Sequence, residues 1–163
     1  MRIREANETD AARAAALWTE AYTNQNPAEG RKEPYGEDEL TGAASAATVL
    51  VAESVGGEVV GIVALVPATA PRGVVARVGE AELSRLAIAA AARGDGVGRA
   101  LAQRVIALAR AEGAARMALW SRPYQVQAHS LYESLGFRRA PGRDGRDPLG
   151  RRLVFTLELA TGG

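Results

Sequence analysis

Residues 82–101 read ELSRLAIAAAARGDGVGRAL, and this stretch decides how the chain is to be folded. Leu86-Ala87-Ile88 ends an apolar strand, glycines stand at 94, 96 and 98, and an amphipathic pattern starts near Val97. Strand, glycine loop and helix in that order leave several backbone N–H groups unpaired in front of a helix start. With the positive end of the helix dipole behind them, such groups form a site for a phosphate or pyrophosphate. Arg93 at the head of the loop adds a fixed cation. Two familiar spellings are excluded. A P-loop needs Lys and then Ser or Thr after its last glycine, whereas Gly98 is followed by Arg99 and Ala100. A dinucleotide fingerprint starting at Gly96 would need Gly or Ala at position 101, which is Leu. What stands is R-x-x-G-x-G across Arg93, Gly96 and Gly98. A glycine connection that only lets a helix pack close to a sheet would have the same spelling.

The flanking segments narrow the choice. Ala128-His129-Ser130-Leu131-Tyr132-Glu133-Ser134-Leu135-Gly136-Phe137 reads as a short helix with Gly136 as a left-handed C-cap. Together three segments resemble the GNAT superfamily of acyl-CoA-dependent N-acyltransferases. Arg2-Ile3-Arg4 through Asp10 is similar to that family's first strand and helix. Leu86-Ala87-Ile88 with R-x-x-G-x-G is similar to its coenzyme A pyrophosphate motif. A-x-x-L-Y-x-x-x-G-F from Ala128 to Phe137 is similar to its second motif. The resemblance covers nearly the whole chain, in the family's order and spacing.

It implies a single-domain α/β fold over residues 1–163. The sheet would be mixed and mostly antiparallel, with a central splayed parallel strand pair and flanking helices. It also implies acetyl-CoA as cosubstrate, acetyl being the family's commonest acyl group. Leu86, Ala87 and Ile88 would meet the pantetheine arm through backbone groups, and Arg93, Gly94, Gly96, Val97, Gly98 and Arg99 would hold the pyrophosphate. Gln125 stands where the family often has an Asn that reaches the pantetheine. Dimers are common in the family, and the sequence does not decide the point.

The remaining elements follow from pattern. Asp10 to Tyr22 is helical with Thr9 or Asp10 as cap, and Gly36 to Ala46 forms a second helix after a polar loop, 23–35. Thr48–Ser54 and Val59–Pro67 flank Gly56-Gly57 as a hairpin. Strands are expected at Gly79–Ala89 and Arg116–Ser121, with a helix running to Glu112 between them. Its apolar stripe is Val97, Leu101, Val105 and Leu108. A last hairpin pairs Phe137–Arg139 with Arg152–Leu159 across an arginine-rich loop. Strand, helix and strand form a βαβ unit, so that pair is expected to be parallel.

Composition closes other routes. The 163 residues include no cysteine and one histidine, which removes disulfides, thiolate metal sites and a Cys nucleophile. No metal is expected. A formal net charge of +1 provides no broad case for nucleic acid. No apolar run approaches 18 residues and the start lacks a signal-peptide core, so a cytoplasmic protein without a membrane partner is expected.

Acyl transfer to an amine needs a neutral amine, a stabilised oxyanion and a protonated leaving thiolate. Tyr132 is the candidate acid, because a phenol near pKa 10 is still protonated where a thiol near 8.5 has begun to ionise, and so has a proton to give to the departing thiolate. By the resemblance, its position approaches the coenzyme's sulfur. Packing beside Leu131 and Phe137 is the structural alternative. Period-two alternation places Glu80, Glu82 and Ser84 on one strand face, and the resemblance makes Glu82 the candidate base, since it stands six residues before Ile88, where some members of the family carry a catalytic glutamate. Its alternative is an ion pair with Arg85 or Arg77. His129 is expected at the surface. The arginines from 138 to 152 either meet an anionic ligand or form a solvated loop with Asp144 and Asp147. Trp18, Tyr22, Tyr35, Trp120, Arg122 and Tyr124 lie in segments that would border the acceptor pocket. Small-molecule amine acetylation is the leading reading. Acetylation of a protein N-terminus or lysine, or a non-catalytic CoA-binding module, are the alternatives.

Overall fold

The computed structural model describes residues 1–69 and 73–159. Arg2–Glu5 forms β1 and Ala11–Tyr22 forms α1, joined by one 3-10 turn at Glu8–Asp10. Asp10 is the N-cap position of α1, one of the two expected, but it makes no side-chain cap bond to α1; the capping side chain is Asn7, ahead of the 3-10 turn. Asn7 Oδ1 accepts from the Thr9 N–H, and the Asp10 carboxylate accepts back from the Asn7 N–H. This is a capping box, and the Arg4 guanidinium holds its carboxylate at 2.8 and 2.9 Å. Helix α2 is shorter than expected, Asp38–Ala44.

Strands β2 (Thr48–Glu53) and β3 (Val59–Val66) make the hairpin, with Gly57 turning at φ +84°. β4 (Glu80–Ile88), α3 (Val97–Ala111) and β5 (Arg116–Ser121) form the βαβ unit. Then come α4 (Val126–Ser134), β6 (Arg138–Arg139), β7 (Gly145–Asp147) and β8 (Gly150–Glu158). The arginine-rich segment is therefore not an open loop: β7 pairs with the start of β8.

The sheet order is β1-β2-β3-β4-β5-β8-β6 with β7 on β8, and only β4 and β5 run parallel. A mixed sheet with helices packed on it is the expected architecture. α1 buries Ala14, Leu17 and Trp18, and α3 buries Val97, Leu101, Val105 and Ala109. Leu108 leaves the expected stripe and is exposed, because Ala109 holds the core-facing position. α3 lies close on β3: a Cβ at Gly61 would stand 2.8 Å from Val97 Cγ1 and 2.9 Å from Leu101 Cδ1. Only glycine leaves room for that approach.

One buried cluster ties the starts of the two central strands, β4 and β5, to the segment before β7. The Glu80 carboxylate is 5% exposed and accepts from Arg143 at 2.8 and 3.0 Å and from Arg116 at 3.1 Å. Burial alone would raise its pKa. Hydrogen bonds from Arg143, the Arg77 N–H and Arg116 outweigh burial and hold it at about 2. A carboxylate depressed in the folded state stabilises the fold above its unfolded pKa, near 4.5. That contribution, on the order of 3 kcal/mol, is lost as pH falls from about 4.5 through 2. Denaturant unfolding between pH 2 and 7 is expected to show this slope, and Glu80→Gln to flatten it. An unchanged slope in the variant would remove Glu80 as its source.

Candidate active site

β4 and β5 stay paired only at Glu80↔Arg116, Ala81↔Met117 and Glu82↔Ala118. Beyond Glu82 they part, and a cleft of about 710 Å³ opens between them. The parting coincides with a bulge. Ala64 pairs with Ser84 and Ile62 with Ala87, so β4 carries one residue more than β3 over the same span. Arg85 takes the left-handed conformation there, at φ +57°, which an L-residue with a side chain adopts at a cost. Two residues one turn apart on α1 support the bulge. The Trp18 Nε1–H donates to the Arg85 carbonyl at 3.0 Å, and the Tyr22 hydroxyl donates to the Leu86 carbonyl. Leu86, Ala87 and Ile88 therefore line the cleft on a strand held away from its parallel neighbour.

At one end this cleft runs into a smaller groove of about 290 Å³, with Ile88, Arg93, Gln127 and Leu131 lining both. Gly94, Gly96, Val97, Gly98 and Arg99 complete the groove. Gly96 caps α3 at φ +82° and Gly94 stands at φ +87°. The α3 start carries no side-chain cap and no acidic residue in its first turn. The N–H groups of Val97, Gly98 and Arg99 cannot bond within the helix, since the first backward bond is Ala100 N–H to Gly96 O. Nothing stands within 4 Å of where a Cβ would project at Gly94 or Gly96, so a ligand can come up to the main chain there. Arg93 is exposed and has no ion-pair partner among the described residues, and the Arg99 side chain turns to Ser134. These donors fit a diphosphate.

Tyr132 lies on the α4 wall of the cleft. Gly136, at φ +101°, ends the helix, and the Phe137 N–H bonds back to the Tyr132 carbonyl at 3.0 Å. The Tyr132 ring meets Phe137 edge-on at 5.8 Å and Phe155 at 6.1 Å. The residue is 6% exposed, and burial pushes its phenol well above its usual pKa. It therefore stays protonated wherever a thiol has begun to ionise. Packing and position in the cleft coexist in this residue.

Glu82 is placed elsewhere. Its carboxylate is buried and accepts from the N–H groups of Val74, Val75 and Ala76 at 3.0, 2.7 and 2.9 Å. It pairs with neither Arg85, which bonds Glu39, nor Arg77. The strand alternation is right, but the 73–76 turn covers that face at residue 82, and the carboxylate is absent from the cleft lining. Its geometry anchors a loop. Glu82→Gln is expected to destabilise the fold by about 1–3 kcal/mol through weakened buried N–H acceptance. The pH–rate profile is expected to keep its shape, and loss of its acidic limb, where a general base becomes protonated, would restore the base.

Gln125 lines the cleft, but its amide is engaged. Oε1 accepts from Ser121 Oγ and the Arg122 N–H, both at 2.8 Å, and Nε2 donates to Gln25 at 2.9 Å. His129 is half-buried, not at the surface. Its Nε2 lies 3.0 Å from the Arg122 carbonyl and 3.1 Å from Ser121 Oγ. A carbonyl only accepts, so Nε2 carries the proton. Burial lowers the His129 pKa. Three of the six arginines of the 138–152 segment are paired inward, Arg139 with Asp144, Arg143 with Glu80 and Arg152 with Asp147, while Arg138, Arg146 and Arg151 are exposed.

Beyond the bulge, Trp18, Tyr22, Tyr35, Trp120, Arg122 and Tyr124 border the cleft as expected. Arg31, Glu39, Arg85 and Leu149 line it too, and only their place in the fold shows this.

A sheet that splays beside a bulged strand, with a glycine-capped helix start at the end of the splay, is the frame of the GNAT fold. The model of the acetyltransferase (GNAT) family matches residues 12–137, and the chain belongs to that family. Its fold is similar to that of yncA from Salmonella typhimurium, solved with its cofactor acetyl-CoA. The TM-score is 0.79 at 23% identity, over 100% of this chain and 96% of that one. Ribosomal-protein-alanine N-acetyltransferase from Brucella melitensis is similar at TM-score 0.75 and 24% identity, over 98% and 100%. N-acetylaspartate synthetase of Danio rerio is 39% identical over 87 residues, 48% of this chain and 30% of that protein. The chain spans well under half the length of the curated relatives it matches. Among the described residues no helix is long and apolar enough to cross a membrane.

Proposed function

We propose that the protein transfers an acetyl group from acetyl-CoA to the primary amine of a small molecule, directly within a ternary complex. The N–H groups of residues 97–99, with Arg93, are the diphosphate anchor. The splayed strand at Leu86–Ile88 presents main-chain groups to the pantetheine, and Tyr132 donates a proton to the departing thiolate. Acetyl-CoA supplies the activated thioester. In this reading the incoming amine loses its proton to water in the cleft, because Glu82 is turned away from it.

The relatives' names cover both small and protein acceptors, so they do not choose between them. One observation favours a small acceptor: the loop before α2 closes on the β7–β8 turn. The Gly30 N–H donates to the Leu149 carbonyl at 3.0 Å. Gln25 accepts from Gln125, and a Cβ at Gly30 would meet the Tyr124 hydroxyl at 2.4 Å. An extended polypeptide needs an open trough at this end, and these contacts bridge it. Release of free thiol from acetyl-CoA, followed over a panel of small amines and a panel of peptides, tests the reading. Turnover confined to peptides would overturn the small-molecule assignment.

A further inference from the structure

We infer that the acceptor amine carries an oxyanion, a carboxylate or its equivalent, at the end remote from the amine, and that Arg31, backed by Arg85, receives it. This rests on the acetyl-transfer reading above and names the acceptor class of the same cleft.

Past the Tyr132 end, the charged residues lining the cleft are Arg31, Arg85 and Arg122 against the single carboxylate of Glu39, with Arg93 at the diphosphate groove. Their pairings differ. Arg122 is 7% exposed and locked to Asp147 through two bonds, at 2.8 and 3.1 Å, and to the Arg151 carbonyl. It stiffens the wall. Arg85 bonds Glu39 at 2.9 Å and keeps a third of its side chain exposed. Arg31 is bonded to the Glu33 and Pro34 carbonyls and stacks at 4.0 Å over the Tyr35 ring. It has no carboxylate partner among the described residues, so its full charge faces the cleft from a side chain already oriented. A guanidinium held on an aromatic face by backbone carbonyls is poised to take a planar anion.

Tyr132, Tyr22, Tyr35, Arg85 and Arg31 line one continuous cleft, so the phenol and the guanidiniums face the same space. The Gly30–Leu149 and Gln25–Gln125 bonds close over it, which suits a compact acceptor. The same excess of positive charge disfavours acceptors with a second ammonium group, such as polyamines, by like-charge repulsion.

The test uses the full chain with acetyl-CoA and matched acceptors. These are the protein amino acids, β-alanine and γ-aminobutyrate, each beside its carboxamide, with spermidine and tyramine as cationic and neutral amines. Carboxylate acceptors are expected to exceed their amides in kcat/KM by about tenfold or more, and Arg31→Gln to lower that ratio about tenfold. Arg31→Lys is expected to recover part of the ratio, and KM for acetyl-CoA is the control for a folded diphosphate site. Amides or spermidine equal to or better than the carboxylates would overturn the inference. So would acetyl-CoA binding by calorimetry without transfer to any carboxylate amine. In either case the coenzyme reading survives, whereas failure to bind acetyl-CoA at all removes both.

Discussion

Tyr132→Phe is expected to lower turnover by about 10²-fold or more while acetyl-CoA still binds. The substitution removes one oxygen and leaves the ring between Phe137 and Phe155. Burial alone shifts this phenol, and no protein group is bonded to its hydroxyl among the described residues, so the fold loses little with it. What goes is the proton donor. A thiolate near pKa 8.5 is a poor leaving group when water must protonate it inside a closed cleft. The buried phenol keeps its proton throughout that range, so it is loaded to protonate sulfur as the C–S bond breaks; the step costs the difference between the two pKa values, and reprotonation of the phenolate from water completes it. Steady-state kinetics with calorimetry of acetyl-CoA separates the roles. A fall in kcat at constant affinity supports the acid, and unchanged turnover removes it.

Gly96→Val is expected to abolish measurable acetyl-CoA binding. The residue sits at φ +82°, where a β-branched side chain is strained, and it is the cap from which the first three α3 N–H groups project. No neighbour lies within 4 Å of a Cβ placed there, so the fold does not clash with the new side chain. Main-chain strain of about 1–2 kcal/mol is relieved by moving the loop, and the donors no longer converge. Calorimetry for binding and thermal melting for the fold distinguish this from unfolding. Wild-type affinity in a folded variant would count heavily against the diphosphate anchor.

Within the site, local chemistry and long-range packing divide the residues cleanly. Gly94, Gly96 and Gly98 needed no tertiary information, because a left-handed cap and bare helix N–H groups follow from residue type and order. Tyr132 ahead of Gly136-Phe137 was legible for the same reason, the C-cap being a local motif. Glu82 was not. Strand alternation states which face a side chain takes, but the irregular 73–76 segment that covers that face, though only six to eight residues back along the chain, carries no periodic signal that would place it there.

His129 shows the same limit on a helix, its ring buried by Ser121, Arg122 and Phe155 from other elements. In the arginine-rich segment Asp144 and Asp147 were legible as partners because they are close in sequence, whereas the Arg143–Glu80 pair spans 63 residues. The sequence by itself determined the order of the main strands and helices, the glycine-capped start of α3 and the place of Tyr132 ahead of its C-cap, all set by dihedral preference and short-range periodicity. Only the tertiary structure decided where β4 leaves β5, which carboxylates are withdrawn from the cleft, and which guanidinium is left facing it. Those outcomes depend on tertiary contacts, most of them between segments far apart in the chain, and no local rule encodes them.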